Sequence, residues 1–332
     1  MTSITRRALV GGTVAAVALA ALTACSGPAT DTKVDGEKTI HVTAGYTSDG
    51  NGALLQAVAQ KQGIWKKHGL EVDATPFTNG PLQIQALGTG DLDFGYIGPG
   101  ALWLPMSGKA KIVAVQGLGT ADRVIAQEGI EKIEDLKGKT VGVPEGTSGD
   151  MLLNLALEKA GMSIDDVEKV AMDPPTVISA FTSKQVDAAA IWYPFVDQIH
   201  KNVPGMVEVV KSADFPDLAF PATLVAGTDI TDDAEMLQRY QAAAKEAYTW
   251  AAAHKDELPA LLADFLKAPK DSVASEFEYV DLLAPDDLLA KWDSGDAKAW
   301  FTNLNKQFIQ MDKVADEVDP ADYILIEQYR KA

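Results

Sequence analysis

The chain has 332 residues, a length that suits two domains of about 150 residues each, and its 47% hydrophobic content is enough for sizeable cores. Forty-seven acidic residues against 29 basic ones give a formal net charge of −18. That balance excludes nucleic acid as the main partner, because neutralising phosphates needs clustered Lys and Arg, and the single cysteine, Cys25, excludes a disulfide framework or a multi-cysteine metal site.

The first residues read as an address. Arg6 and Arg7 precede a run of small and apolar residues from Ala8 to Ala24, shorter than the roughly 20 residues of a membrane span and ordered like a secretory signal. Leu22-Thr23-Ala24-Cys25 resembles a bacterial lipobox. Residues 1–24 are therefore expected to be a cleaved signal peptide, with a lipid on Cys25. Thr5-Arg6-Arg7 leaves both the general and the twin-arginine export routes open. Residues 25–37 are polar and contain Pro and Gly, which suits a lipidated tether.

From Thr39 short β-rich runs alternate with helical segments, the pattern of an α/β fold with parallel strands. Strands are predicted at 39–46, 71–77, 93–97 and 111–118, with helices at 53–62, 82–87 and 101–107 between them. A second set has strands at 123–127, 140–144, 168–172, 188–192 and 206–210, and helices at 150–160, 176–183 and 195–201. Within 150–160, Met151, Leu152, Leu155 and Ala156 repeat at helical spacing, and Gly161 stops the helix. After a strand at 223–226 the chain is nearly all helical, most clearly at 240–254, 257–265 and 288–304.

In open α/β sheets ligands bind beyond the carboxyl ends of strands. The first strand ends in Tyr46, Thr47, Ser48 and Asp49, of which Tyr46 and Ser48 are nominated; Asn79 follows the second strand, and Gly98, Pro99 and Gly100 the third. In the second set the strand ends nominate Thr147, Ser148, Trp192 and Tyr193. Gly-Pro-Gly before a helix exposes backbone N–H groups, and Thr147 and Ser148 add hydroxyls at another helix start, so two facing N-termini could clamp an anion. Simple capping of the helix is the alternative for Thr147, Ser148 and Asp150. A helix N-terminus contributes about 0.3–1 kcal/mol, against about 8 kcal/mol for micromolar binding. Other hydrogen bonds and apolar contact must supply the rest, and Trp192 and Tyr193 read either as walls for an organic body or as core aromatics. Trp103, Trp250, Trp292 and Trp300 read as packing.

Nothing in the sequence assembles catalysis. His41, His68, His200 and His254 are scattered, and no Ser–His–Asp order, HExxH or Walker A sequence occurs. No catalytic residue, metal or cofactor is expected.

The segment PFTNGPLQIQALGTGDLDFGYIGPGALWLPMSG (76–108) resembles the substrate-binding proteins of bacterial ABC importers, in particular the sulfonate, taurine and nitrate type. Glu134-Asp135-Leu136-Lys137-Gly138-Lys139, Val143-Pro144-Glu145-Gly146-Thr147-Ser148, Pro174-Pro175, Gln185-Val186-Asp187-Ala188-Ala189, Trp192-Tyr193-Pro194 and Asp322-Tyr323 extend the likeness over roughly 40–330. The resemblance implies a type II periplasmic binding protein: two Rossmann-like lobes joined by two hinge crossovers, near 119–122 and 215–221. Lobe 1 would comprise 38–119 and 220–332, with the helical C-terminal region packed on it, and lobe 2 would be 120–219. It also implies a monomer that binds a small organic solute between the lobes and delivers it to an ABC permease and ATPase, held at the outer face of the cytoplasmic membrane by the lipid on Cys25. Two departures bear on the solute. Arg123 is the one arginine near the hinge, and Phe220-Pro221-Ala222-Thr223-Leu224 has no acid where taurine binders hold the ammonium group. An organic anion such as a sulfonate or aromatic carboxylate, and a neutral aromatic or heterocyclic solute, both stay open. So do a sensory module on the same fold and an enzyme of pyrimidine or menaquinone precursor formation.

Overall fold

A computed structural model describes residues 33–34 and 37–332; the expected signal peptide, Cys25 and most of the tether lie outside the described residues. β1 (Lys33–Val34) and β2 (Glu37–Lys38) pair antiparallel. β3 (Ile40–Thr47), β4 (Leu70–Phe77), β5 (Phe94–Ile97) and β6 (Lys111–Gly119) then build a first sheet. The chain crosses to a second sheet made of β7 (Asp122–Ala126), β8 (Thr140–Val143), β9 (Glu168–Ala171), β10 (Ala188–Trp192) and β11 (Val207–Lys211). It returns to the first as β12 (Pro221–Ala226) and β13 (Val280–Leu282). Strand order is β13-β6-β12-β5-β3-β4 in the first sheet and β11-β7-β10-β8-β9 in the second.

Both sheets are mixed, where the alternating pattern predicts parallel strands. β3 runs parallel to β4 and β5, and β8 parallel to β9 and β10, but β12 is antiparallel to β5 and β6, and β7 to β10 and β11. The crossovers are the reason. A strand that precedes a helix ends at the face between the sheets, whereas β7 and β12 enter from that face and run away from it.

Side-chain alternation along β7 and β10 supplies two apolar faces in the second sheet. Val124, Ala126, Ala188 and Ala190 join a cluster with Leu152 and Leu157, and Ile125, Ala189 and Ile191 join one with Val177 and Phe181. The helix Ser148–Lys159 lies so close to β10 that a Cβ at Gly149 would stand 2.5 Å from the Ala190 carbonyl oxygen. Glycine is the side chain that contact permits. On the first sheet, the helix Ala234–Ala253 stacks Tyr240 on Phe94 with ring centroids 3.7 Å apart, and the Gln241 amide donates to the Val113 carbonyl at 2.8 Å. The C-terminal helices thus pack on the first sheet. Trp292 is in its core, with Trp103, Trp250 and Trp300 half-buried against it.

Several elements differ from the pattern. The helix expected over 288–304 is two, Pro285–Ser294 and Asp296–Gln310, divided at Gly295 with φ 91°. The helix expected over 101–107 shortens to a 3₁₀ turn, Pro99–Ala101, and one α-helical turn, Trp103–Met106, where Pro105 removes a donor. The helix Lys270–Phe277 and β13 were not foreseen.

Candidate functional site

The ends of β3, β5, β6 and β10 and the starts of β7 and β12 converge on a cleft of about 640 Å³, part of it open to solvent. Seven of the ten nominated residues line it: Asn79, Gly98, Pro99, Thr147, Ser148, Trp192 and Tyr193. The other three do not. Tyr46 packs on Phe265 with ring centroids 5.5 Å apart, and Ser48 is exposed, its N–H donating to the Phe77 carbonyl at 3.3 Å. Alternation explains both, since Thr47 and Asp49 are the neighbours that line the cleft. Gly100 meets backbone instead: a Cβ there would lie 2.1 Å from the Thr147 carbonyl carbon and oxygen.

Several polar groups expected to meet an anion are spent inside the protein. The Thr147 hydroxyl donates to the Pro144 carbonyl at 2.6 Å, and the Gly146 N–H to Asp150 at 2.8 Å. The Asn79 side chain accepts from the Leu82 N–H at 3.1 Å, an ordinary N-cap. Arg123 is 4% exposed and turned to structural use. Its guanidinium donates to Glu208 at 2.8 Å and to the Thr120 and Asp122 carbonyls at 2.7 and 2.8 Å. It lies over the rings of Tyr193 and Tyr279, 5.0 and 4.6 Å from their centroids, and the Tyr193 hydroxyl donates to the same Glu208 at 2.8 Å.

Three carboxylates face the cleft instead: Asp49, offered by the end of the first strand but not nominated, and Asp122 and Glu276, which sequence reasoning missed. Asp49 caps the helix Gly50–Lys61, accepting from the Gly52 N–H at 2.7 Å, and also from the Trp192 indole N–H at 3.2 Å. Glu276, 1% exposed, accepts from the Gly50 and Asn51 N–H groups of that helix at 2.7 and 2.6 Å. Asp122 opens β7 directly opposite Trp192 in the β10 register. It hydrogen-bonds the Ser148 side chain, while its Oδ1 is buried with no partner. No group of three His, Cys, Asp or Glu side chains is placed to hold a metal ion among the described residues.

A family model described as NMT1/THI5 like matches residues 55–258, and a protein of Brucella abortus (strain 2308) named as a binding protein is 48% identical over 292 residues, 87% of this chain and 92% of that one. The chain belongs to the NMT1/THI5-like family. The taurine-binding periplasmic protein of Escherichia coli (strain K12) is 30% identical over 167 residues, 49% of this chain and 51% of its own. The crystal structure of the periplasmic aliphatic sulphonate binding protein SsuA from Escherichia coli superposes with a TM-score of 0.66 at 22% identity, covering 87% of this chain and 99% of that one. The fold is that of a type II periplasmic binding protein. It also carries enzymes: the desulfurization enzyme DSZB aligns with a TM-score of 0.63 at 18% identity, over 88% of this chain and 98% of its own.

The acids of this NMT1/THI5-like cleft do not sit at their ordinary protonation equilibria. Burial raises Asp49, and burial together with the nearby Asp49 charge raises Glu276 well above the usual carboxylate range. Burial pushes Asp122 up to about 6, against the lowering effects of its Ser148 hydrogen bond and the Arg123 charge. A raised carboxyl holds its proton more tightly folded than unfolded, so stability falls as pH rises from about 4 to about 6, and the full penalty is present above that window. Asp122→Asn is therefore expected to stabilise the free protein at pH 8 by up to about 3 kcal/mol, roughly 5 °C in Tm. That gain should fade towards pH 4. Thermal unfolding of both proteins at the two pH values checks it, and a gain that does not depend on pH would assign the effect to something other than this carboxyl.

Proposed function

We propose that the chain is the solute-binding component of an ABC import system, capturing a small organic solute in the cleft between its two sheets by closure of the lobes. The moving bodies are 38–119 with 220–332, and 120–219. The observation that carries this reading is the set of contacts that cross the cleft directly: Trp192 to Asp49, the Ser275 hydroxyl to the Asp197 carboxylate, and Gly100 against the Thr147 backbone. Such contacts can latch a closed state around a bound molecule. Signal peptide 1–24 and a lipid on Cys25 place the protein outside the cytoplasmic membrane, tethered through 25–37. Relatives named for periplasmic binding support that location.

The test is a thermal-shift screen of the purified chain against a broad panel of organic solutes. It includes taurine and aliphatic sulfonates because relatives carry those names, with aromatic carboxylates, amines and neutral heterocycles beside them. A ligand at 100 times its Kd adds about 2.7 kcal/mol, several degrees of shift. Trp192→Ala is expected to weaken the best solute about tenfold or more, while the free protein's Tm stays within a few degrees. Chemical turnover of a bound solute would contradict the transport reading.

A further inference from the structure

The charge of the cleft wall narrows the solute class. Among the described residues, three carboxylates line it and no Lys, Arg or His does. Two of the three are already answered, because Asp49 and Glu276 accept from backbone N–H groups at the N-terminus of the Gly50–Lys61 helix, where the helix dipole favours negative charge. Asp122 is answered only in part. It is 5% exposed, and Ser148 and the Arg123 charge favour its ionised form, but its Oδ1 has no hydrogen-bond partner among the described residues, and the Arg123 guanidinium donates to Glu208 and two carbonyl oxygens. Asp122 lines the cleft, and an acceptor that no protein donor satisfies is a place for a donor that arrives with the solute. Trp192 is paired with Asp122 across β10 and β7 and lines the same cleft, and its indole is an apolar surface that also favours cations.

We propose that the cleft takes an organic cation, a protonated amine or amidine on a small and partly apolar body, with its charged nitrogen on Asp122 and its body against Trp192. This rests on the solute-binding reading and specifies its ligand. Sequence reasoning pointed to an anion, from two facing helix N-termini, or to a neutral aromatic or heterocyclic solute, from loops dominated by Tyr, Asn, Gly and Trp. The carboxylates reach the same space from the start of β7 and from the helix Lys270–Phe277. The other titratable groups lining the cleft are Asp49, Glu276, Tyr96 and Tyr193, with the Arg123 charge next in the chain. All of the first four are neutral or negative, so among the described residues no side chain at the wall offsets a ligand's negative charge; the start of the helix Ser148–Lys159 supplies only a partial positive end there.

The experiment is calorimetric titration of the full chain at constant ionic strength and pH 8 with four probes on one ring: benzylammonium, benzyl alcohol, benzoate and benzenesulfonate. Taurine serves as the zwitterionic arm. Benzylammonium is expected to bind about tenfold or more tighter than benzyl alcohol, since charge-assisted hydrogen bonds are roughly twice as strong as neutral ones, and both anions should fail to bind. Asp122→Asn should remove that preference and leave the alcohol within about threefold, because only the charge at the contact changes. Ser148→Ala is a second variant that keeps the carboxylate and should keep the preference. Tight binding of either anion or of taurine, a cation affinity unchanged in Asp122→Asn, or silence from all five probes would overturn the proposal. Anions that bind while cations do not would leave solute capture standing; only failure of the broad panel would remove it.

Discussion

Gly100→Ala is expected to weaken binding of the best solute by roughly 5- to 150-fold, the equivalent of about 1–3 kcal/mol of overpacking. The added Cβ would stand 2.1 Å from the carbonyl carbon and oxygen of Thr147 and 2.3 Å from the Ser148 nitrogen. Real Cβ atoms do not approach so closely, and the atoms in the way are backbone rather than the movable end of a side chain. The two bodies must separate to make room. In the free protein separation relieves the clash, so Tm should stay within a few degrees of the parent. In the bound protein it opens the cleft and moves Trp192 away from Asp49. Titration of both proteins with the same solute reads the difference. An unchanged Kd would mean that the bound state does not use this contact.

Arg123→Met carries the second large effect, and it falls on stability. The guanidinium holds Glu208 at 2.8 Å, two backbone carbonyls, and the faces of Tyr193 and Tyr279. Breaking a buried pair by removing one partner costs about 3–5 kcal/mol, and the quarter-exposed Glu208 side chain places the expectation near the lower end, about 3 kcal/mol. Tm should fall by roughly 5 °C. Arg123→Lys should recover only part, because an ammonium group cannot reproduce the planar fork or its stacking between two rings. Urea denaturation of the three proteins gives the ranking. A neutral Arg123→Met would free the guanidinium for a role in the cleft.

Most strands and helices were legible because they repeat at periods of two or 3.6 and are punctuated by Gly and Pro. The division at Gly295 was available to the same logic and was read through, because the apolar spacing continues on both sides. The cleft was only half legible. Loops at strand ends pointed to Asn79, Gly98, Pro99, Thr147, Ser148, Trp192 and Tyr193, but along β3 the choice fell on Tyr46 and Ser48 when Thr47 and Asp49 face the cavity. A strand start drawn at 123 assigned Asp122 to the crossover, although an acid heading an otherwise apolar run was a signal in plain view. Glu276 had none. It reaches Gly50 from 226 residues away, through a helix whose sequence gives no sign of what it will cap. Long-range contacts of that kind are set by how helices stack on the sheet.

A crystal structure of the chain grown with the solute that binds it most tightly shows whether that solute is held between the two sheets. The expected result is density in contact with Trp192, with a solute donor within hydrogen-bond distance of the Asp122 carboxylate, and Trp192 still bonded to Asp49. Density instead in the groove between β4 and the helix Leu258–Leu266, beside Trp65 and Phe265, with the cleft holding only water, would contradict it.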